Sequence, residues 1–166
     1  MAQITLNGNI INTSGSLPRE GSPAPVFTLT NTDLNDVALT EYLGKNVILN
    51  IFPSLDTAVC ATSVRRFNTD AVKLKDTVVL CISLDLPFAH KRFCTSEGIN
   101  NVINLSGFRN LSFGDAYGVR ILDGPLKGLF SRAVVVINKN GKVIYTEQVP
   151  EIAQEPDYEK ALNSLR

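Results

Sequence analysis

The chain carries no surplus charge of either sign: sixteen lysines and arginines offset sixteen aspartates and glutamates. No global field therefore draws it toward nucleic acid or anionic lipid, and neither is expected as a partner. It also lacks any stretch close to the ~20 apolar residues that a membrane span requires. Its start, Met1-Ala2-Gln3-Ile4-Thr5-Leu6-Asn7-Gly8, has neither the basic opening nor the long apolar core of an export signal. A cytoplasmic protein without membrane contact is the expectation. Cysteine is scarce: three residues, an odd number too small for a disulfide-stapled secreted scaffold, so redox or catalytic use is the better default. The absence of any Cys-x-x-Cys pair argues against a general dithiol reductase. His90 and Cys94 have an i, i+4 spacing that could put two metal ligands on one helical face, with Cys60 as a third, yet a solvated surface histidine accounts for His90 more simply. There is no phosphate-cradling glycine loop, no internal repeat and no low-complexity tract. No cofactor and no metal are expected.

What is present suits one folded unit: 166 residues, 44% hydrophobic and 19% charged, read as one domain over 1–166 with residues 1–16 as a hairpin extension. Residues 2–13 alternate loosely around Asn7-Gly8, a pair suited to the positive backbone angles of a two-residue hairpin turn. Gly21-Ser22-Pro23-Ala24-Pro25 punctuates the chain before an extended run at 26–30, and a short helical turn is expected at 40–43, ending at Gly44. Residues 47–52 and 78–84 are short runs rich in Val, Ile and Leu, the pattern of central parallel strands buried on both faces. Between them Cys60, Val64, Phe67, Ala71 and Leu74 recur at helical spacing, with Arg65, Arg66, Asp70 and Lys73 opposite: an amphipathic crossover helix. A second helix is expected from about Pro87 to Gly98, capped by Asp85. Residues 133–137 and 142–146 flank Asn138-Lys139-Asn140-Gly141 as an antiparallel hairpin, and 156–165 closes as a helix.

Cys60 falls at the start of the crossover helix, just past an apolar strand. Unpaired backbone N–H groups and the positive end of the helix dipole would point at its sulfur and favour the thiolate. Thr57, one turn earlier, brings a hydroxyl that can donate to that anion or to an incoming oxygen. Cys81, inside Val78-Val79-Leu80-Cys81-Ile82-Ser83, is expected to be an inert core residue, because burial raises a thiol and blocks access to it.

Pro53, Thr57 and Cys60, in the order Pro-x-x-x-Thr-x-x-Cys, resemble the active-site signature of the peroxiredoxins. Asp85-Leu86-Pro87-Phe88-Ala89, then Arg92-Phe93-Cys94, and Ser131-Arg132 opening a Val-rich strand extend the resemblance to the thiol peroxidase branch, the atypical two-cysteine peroxiredoxins, over nearly the whole chain. His90 departs from that pattern, which leads one to expect an uncharged polar residue there. The resemblance implies an α/β thioredoxin-like fold, a central mixed sheet flanked by helices with an N-terminal β-hairpin. It implies Cys60 as the peroxidatic thiol and Cys94 as the resolving one, paired in a redox-active disulfide. Arg132 would lower the thiolate and hold peroxide oxygens, and Pro53 would shield the sulfur from water. The implied activity is reduction of hydrogen peroxide and alkyl hydroperoxides through a Cys60 sulfenic acid, with thioredoxin as reductant and a homodimer as the assembly. A peroxide-sensing thiol switch is the alternative. Cys94 stands about two turns, on the order of 10 Å, along its helix from Pro87, whereas a disulfide needs Cα atoms within roughly 7 Å. Oxidation is therefore expected to unwind part of 88–97 and the first turn at Cys60.

Overall fold

Strict alternation along the apolar runs sends successive side chains to opposite faces of one sheet. In the computed structural model, which describes residues 1–166, Val47, Leu49 and Ile51 join Leu80, Ile82, Ala133, Val135 and Ile137 in one core layer. Ile48, Val79, Cys81, Val134 and Val136 enter the other. The strands are β1 (Gln3–Leu6), β2 (Asn9–Asn12), β3 (Thr28–Asn31), β4 (Asp36–Ala38), β5 (Asn46–Ile51), β6 (Thr77–Ser83), β7 (Ile103–Ser106), β8 (Ala133–Ile137) and β9 (Val143–Gln148). β1 and β2 form a separate antiparallel hairpin, and the other seven make one mixed sheet in the order β4-β3-β7-β6-β5-β8-β9. β5 and β6 are parallel neighbours inside it, as their apolar composition predicts, and β8 runs antiparallel to β5 with Ile51 opposite Ala133. That pairing brings the start of β8 to the carboxyl end of β5.

Helix α1 (Ala58–Ala71) crosses from β5 to β6 and buries Cys60, Val64 and Phe67 on the second layer. Each of the larger two side chains contributes roughly 1.5–3 kcal/mol by leaving water. Helix α4 (Tyr158–Asn163) covers the same layer with Tyr158 and Ala161, the Tyr158 ring edge-on to Phe67 at 5.2 Å between centroids. It is shorter than the expected 156–165 because Asp157 caps it, accepting from the Lys160 amide at 3.1 Å. Helix α3 (Ser112–Ala116) places Phe113 on the opposite layer among Phe27, Tyr117 and Phe130. Neither α3 nor the strands β4 and β7 was anticipated from the sequence.

Helix α2 (Pro87–Glu97) ends at Gly98, whose left-handed φ of 66° stops it where expected. Its start differs from expectation. Leu86 occupies the cap position and makes no side-chain capping bond. The Asp85 carboxylate is instead taken by the Ser54 hydroxyl, the Leu55 amide and the Ser83 hydroxyl. The assignment of His90 to a polar surface face is also overturned: its side chain is fully buried, held between Ser83 and Asn104. The inward line of α2 is Pro87, His90 and Cys94, while Phe88 faces out at 66% exposure.

Two carboxylates fix the hairpin to the body: Asp123 accepts from the Asn12 amide at 2.8 Å and from Asn12 Nδ2 at 2.7 Å, and Glu151 holds the turn. Asn7 and Gly8 turn with φ of 51° and 81°, and their amides donate to Glu151, as does the Thr5 hydroxyl at 2.6 Å. These bonds, the Thr5 hydroxyl first, hold the Glu151 carboxyl down to about 2. Backbone bonds between Thr5 and both Pro150 and Ile152 align the same segment.

Candidate active site

The geometry begins with the chain leaving β5. Phe52 and Pro53 are buried, and Thr57 holds the extended cap position of α1. Cys60 is therefore the third residue of the helix, with no capping side chain competing for the first-turn N–H groups. A buried pair pins this turn from below: the Ser63 hydroxyl donates to the Cys60 carbonyl at 2.8 Å and accepts from Asn50 Nδ2 at 3.2 Å. Cys60 is 0% exposed.

Arg132 reaches it from the neighbouring strand. The antiparallel register of β8 sets residue 132 beside the carboxyl end of β5, and its guanidinium is almost entirely buried. Nη2 donates to Cys60 Sγ at 3.3 Å and Nε to the Ile152 carbonyl at 2.8 Å. Nη1 is buried with no hydrogen-bond partner. The Ile152 carbonyl that orients the guanidinium belongs to the segment gripped by the hairpin, so residues 1–12 support the site indirectly. A cavity of about 250 Å³ opens here, lined by Leu6, Asn7, Pro53, Thr57, Val59 and Arg132 among others. Pro53, Thr57, Cys60 and Arg132, singled out in the sequence, thus converge on one place.

Thr57 does not donate to the sulfur, contrary to expectation. Its hydroxyl hydrogen goes to the Ser54 carbonyl at 3.1 Å, so at the cavity that Thr57 lines the oxygen can act only as an acceptor. A hydroxyl has one proton to give, and the loop at 54–57 takes it.

Cys94 lies on α2, half-buried against the layer that contains Cys60, and it lines a separate cleft of about 450 Å³ with Lys91, Thr95, Ile99 and Asn104. All three thiols are free. Burial pushes the Cys94 thiol up. Cys81 is enclosed and pushed by burial to about 12, so its sulfur is uncharged at neutral pH despite the Asn50 amide 3.7 Å away. No group of three or more His, Cys, Asp or Glu side chains could hold a metal ion. No helix is long and apolar enough to cross a membrane.

Sequence reasoning missed the polar network that ties these parts together. Asp85 links the 54–55 loop to the end of β6, and Ser83 links Asp85 to His90. The available signal was polar residues in strand interiors: Ser83 and Ser106 are paired in register, as are Cys81 and Asn104.

Comparison with known proteins shows the family and the fold. Residues 19–162 match the Redoxin family. The thiol peroxidases of Mycobacterium tuberculosis and Mycobacterium bovis are each 61% identical to the chain over 165 residues, covering 99% of both proteins. The crystal structure of a peroxiredoxin-like protein from Aquifex aeolicus superposes with a TM-score of 0.94 at 38% identity, covering 99% of this chain and 96% of that one. A thiol peroxidase from Chromobacterium violaceum shares the fold, with a TM-score of 0.88 at 23% identity over 98% of this chain and 94% of that one. The chain belongs to the Redoxin family and is a peroxiredoxin-type enzyme of the thiol peroxidase branch.

Proposed function

We propose that Cys60 is the peroxidatic residue, attacking the terminal oxygen of hydrogen peroxide or an alkyl hydroperoxide. The sulfur takes that oxygen as a sulfenic acid, the O–O bond breaks, and the other oxygen, which bears the alkyl group or hydrogen, leaves as an alcohol or water after accepting a proton. The observation that carries this reading is the Arg132 guanidinium. One nitrogen sits 3.3 Å from Sγ and another is buried without a partner, ready to donate to the oxygen on which negative charge grows. With its hydrogen spent on Ser54, Thr57 offers a lone pair that can accept the peroxide O–H and orient it. Pro53, buried at the cavity wall, limits the access of water to the sulfur. Leu6, Val59 and Leu126 give the entrance an apolar character suited to alkyl substrates.

Cys94 then condenses with the sulfenic acid, expelling water and forming an intramolecular Cys60–Cys94 disulfide. A thioredoxin-like dithiol restores both thiols by exchange, with the mixed disulfide forming first. No metal, haem or flavin enters these steps. A homodimer is part of this reading: Leu86 and Phe88 follow β6, Leu111 follows β7, and all three are exposed beside adjacent strand ends. Sedimentation equilibrium at micromolar concentration tests it, and a monomer at all concentrations would remove it. For the chemistry, mass spectrometry after one equivalent of peroxide, with and without thiol trapping, locates the first oxidised sulfur and its partner. Oxidation starting at Cys81 or Cys94 would overturn the assignment. Consumption of many peroxide equivalents per chain distinguishes a catalyst from a sensing switch.

A further inference from the structure

Beneath the start of α2 lies a buried polar chain that the peroxide chemistry does not use. The Ser83 hydroxyl donates to Asp85 at 2.6 Å, and Asp85 also accepts from Ser54 and from the Leu55 amide, both at 2.8 Å. Ser83 has only one proton, so the 3.0 Å contact between its oxygen and His90 Nε2 requires the imidazole to be the donor there. Nδ1 is then the acceptor for Asn104 Nδ2 at 2.9 Å. Both ring nitrogens are paired in the neutral ring, and a proton added on Nδ1 would face the Asn104 Nδ2 donor, the Asn104 Oδ1 being buried without a partner. His90, Ser83 and Asn104 are all buried.

We propose that His90 is a proton-sensitive positioning residue: neutral, it clamps α2 through Ser83 and Asp85 to the loop before Cys60, and protonated, it releases the helix that carries Cys94. The inference rests on the reading that Cys94 must leave α2 to meet Cys60.

The direction follows from linkage. Burial, partly offset by Asp85, lowers the imidazole from 6.5 to about 4. A ring freed by helix opening returns to the ordinary range, so opening takes up a proton. The clamp is fully present above about pH 6.5, weakens as pH falls, and adds nothing further below about 4. Opening of α2 should rise roughly tenfold between pH 7 and pH 5. The groups facing the ring are Asp85 from the β6–α2 connection, Ser83 from β6 and Asn104 from β7. The remaining charges around α2 pair at its exposed surface: Lys91 with Asp33, Arg92 with Asp56, and Glu97 with Arg65.

His90→Gln keeps a donor and an acceptor at the two ends but cannot titrate. Amide hydrogen exchange on the reduced full-length protein, wild type against H90Q at each pH, cancels the pH dependence of exchange itself. The wild-type to H90Q ratio over residues 87–97 should climb roughly tenfold from pH 7 to pH 5 while β5 and β8 stay level. A flat ratio overturns the proposal. Because the chain has a single histidine, proton NMR titration of wild type reads the same group even if H90Q does not fold. A midpoint well below that of free imidazole is expected, and one near 6.5 refutes the clamp. Disulfide formation is followed separately. Its absence would refute the role of Cys94, whereas exchange in the reduced protein would still judge His90.

Discussion

Replacing Arg132 with methionine removes two donors from the site at once: the Nη2 that lies 3.3 Å from Cys60 Sγ and the unpartnered Nη1. Loss of one well-placed donor to a developing charge costs about 3 kcal/mol of transition-state stabilisation, roughly a hundredfold in rate. A second, structural cost arises because the Ile152 carbonyl loses the Nε donor at 2.8 Å, about 1–2 kcal/mol of stability. The two effects are separated by measuring the melting temperature alongside the stopped-flow rate of peroxide consumption at pH 7. Arg132→Lys keeps the charge, but a single ammonium cannot serve Ile152 and the sulfur in fork geometry, so its rate should fall between the two. A folded R132M that consumes peroxide within about threefold of wild type would refute the reasoning.

Cys60→Ser should abolish turnover, measured as peroxide loss with thioredoxin present. Cys94→Ser should permit one oxidation and then stall, so sustained cycling with thioredoxin would exclude its resolving role. Cys81→Ala should leave the peroxide rate unchanged and lower stability by about 1 kcal/mol, because its thiol is enclosed and uncharged at neutral pH. Glu151→Ala should loosen the hairpin and speed proteolytic cleavage near Gly8. The carboxyl's folded value lies below its ordinary 4.5, so its grip is present above that pH and lost as pH falls toward about 2, where wild type and variant should converge. Comparing amide exchange in the dithiol and disulfide forms should reveal lost protection over 88–97 and at the first turn of α1. Unchanged protection in both would rule out local unwinding.

Much of the site was legible because its parts are set by strand order. An apolar run and a thiol at the next helix start are local signals, the arginine opening an antiparallel strand stood out only through the family resemblance, and sheet pairing brings them together. The mistakes came where polarity was used to choose a helix face. In α2 the buried positions are Pro87 and His90, with Cys94 and Phe93 half-buried, and the other phenylalanine, Phe88, points outward. A helix with no apolar stripe gives periodicity nothing to report. β7 escaped for a related reason. Asn104 and Ser106 interrupt its apolar character, and only pairing with β6 and β3 makes it a strand. Thr57 was placed correctly, but the destination of its one proton depended on the Ser54 carbonyl, whose orientation is set by the fold around it.

These buried polar residues in strands are unusual in a core of this kind, and each one meets a partner at the sheet edge where the chemistry lies. Asn50 holds Ser63 beneath the Cys60 turn, Ser83 holds Asp85 against the 54–55 loop, and Asn104 holds His90 on α2. An apolar isostere at any of them would leave a buried donor or acceptor unpaired, at about 1–3 kcal/mol each. Their common property is that the bonds are made to the two segments that would have to move in the proposed pairing of Cys94 with the buried Cys60. Hydrogen bonds suit that task better than apolar packing, since a loop released from them can exchange each bond for water, whereas an exposed apolar surface would keep its full cost. Close packing of the sheet sets the sulfur beside the guanidinium, and replaceable polar bonds hold α2 and the 54–55 loop against it.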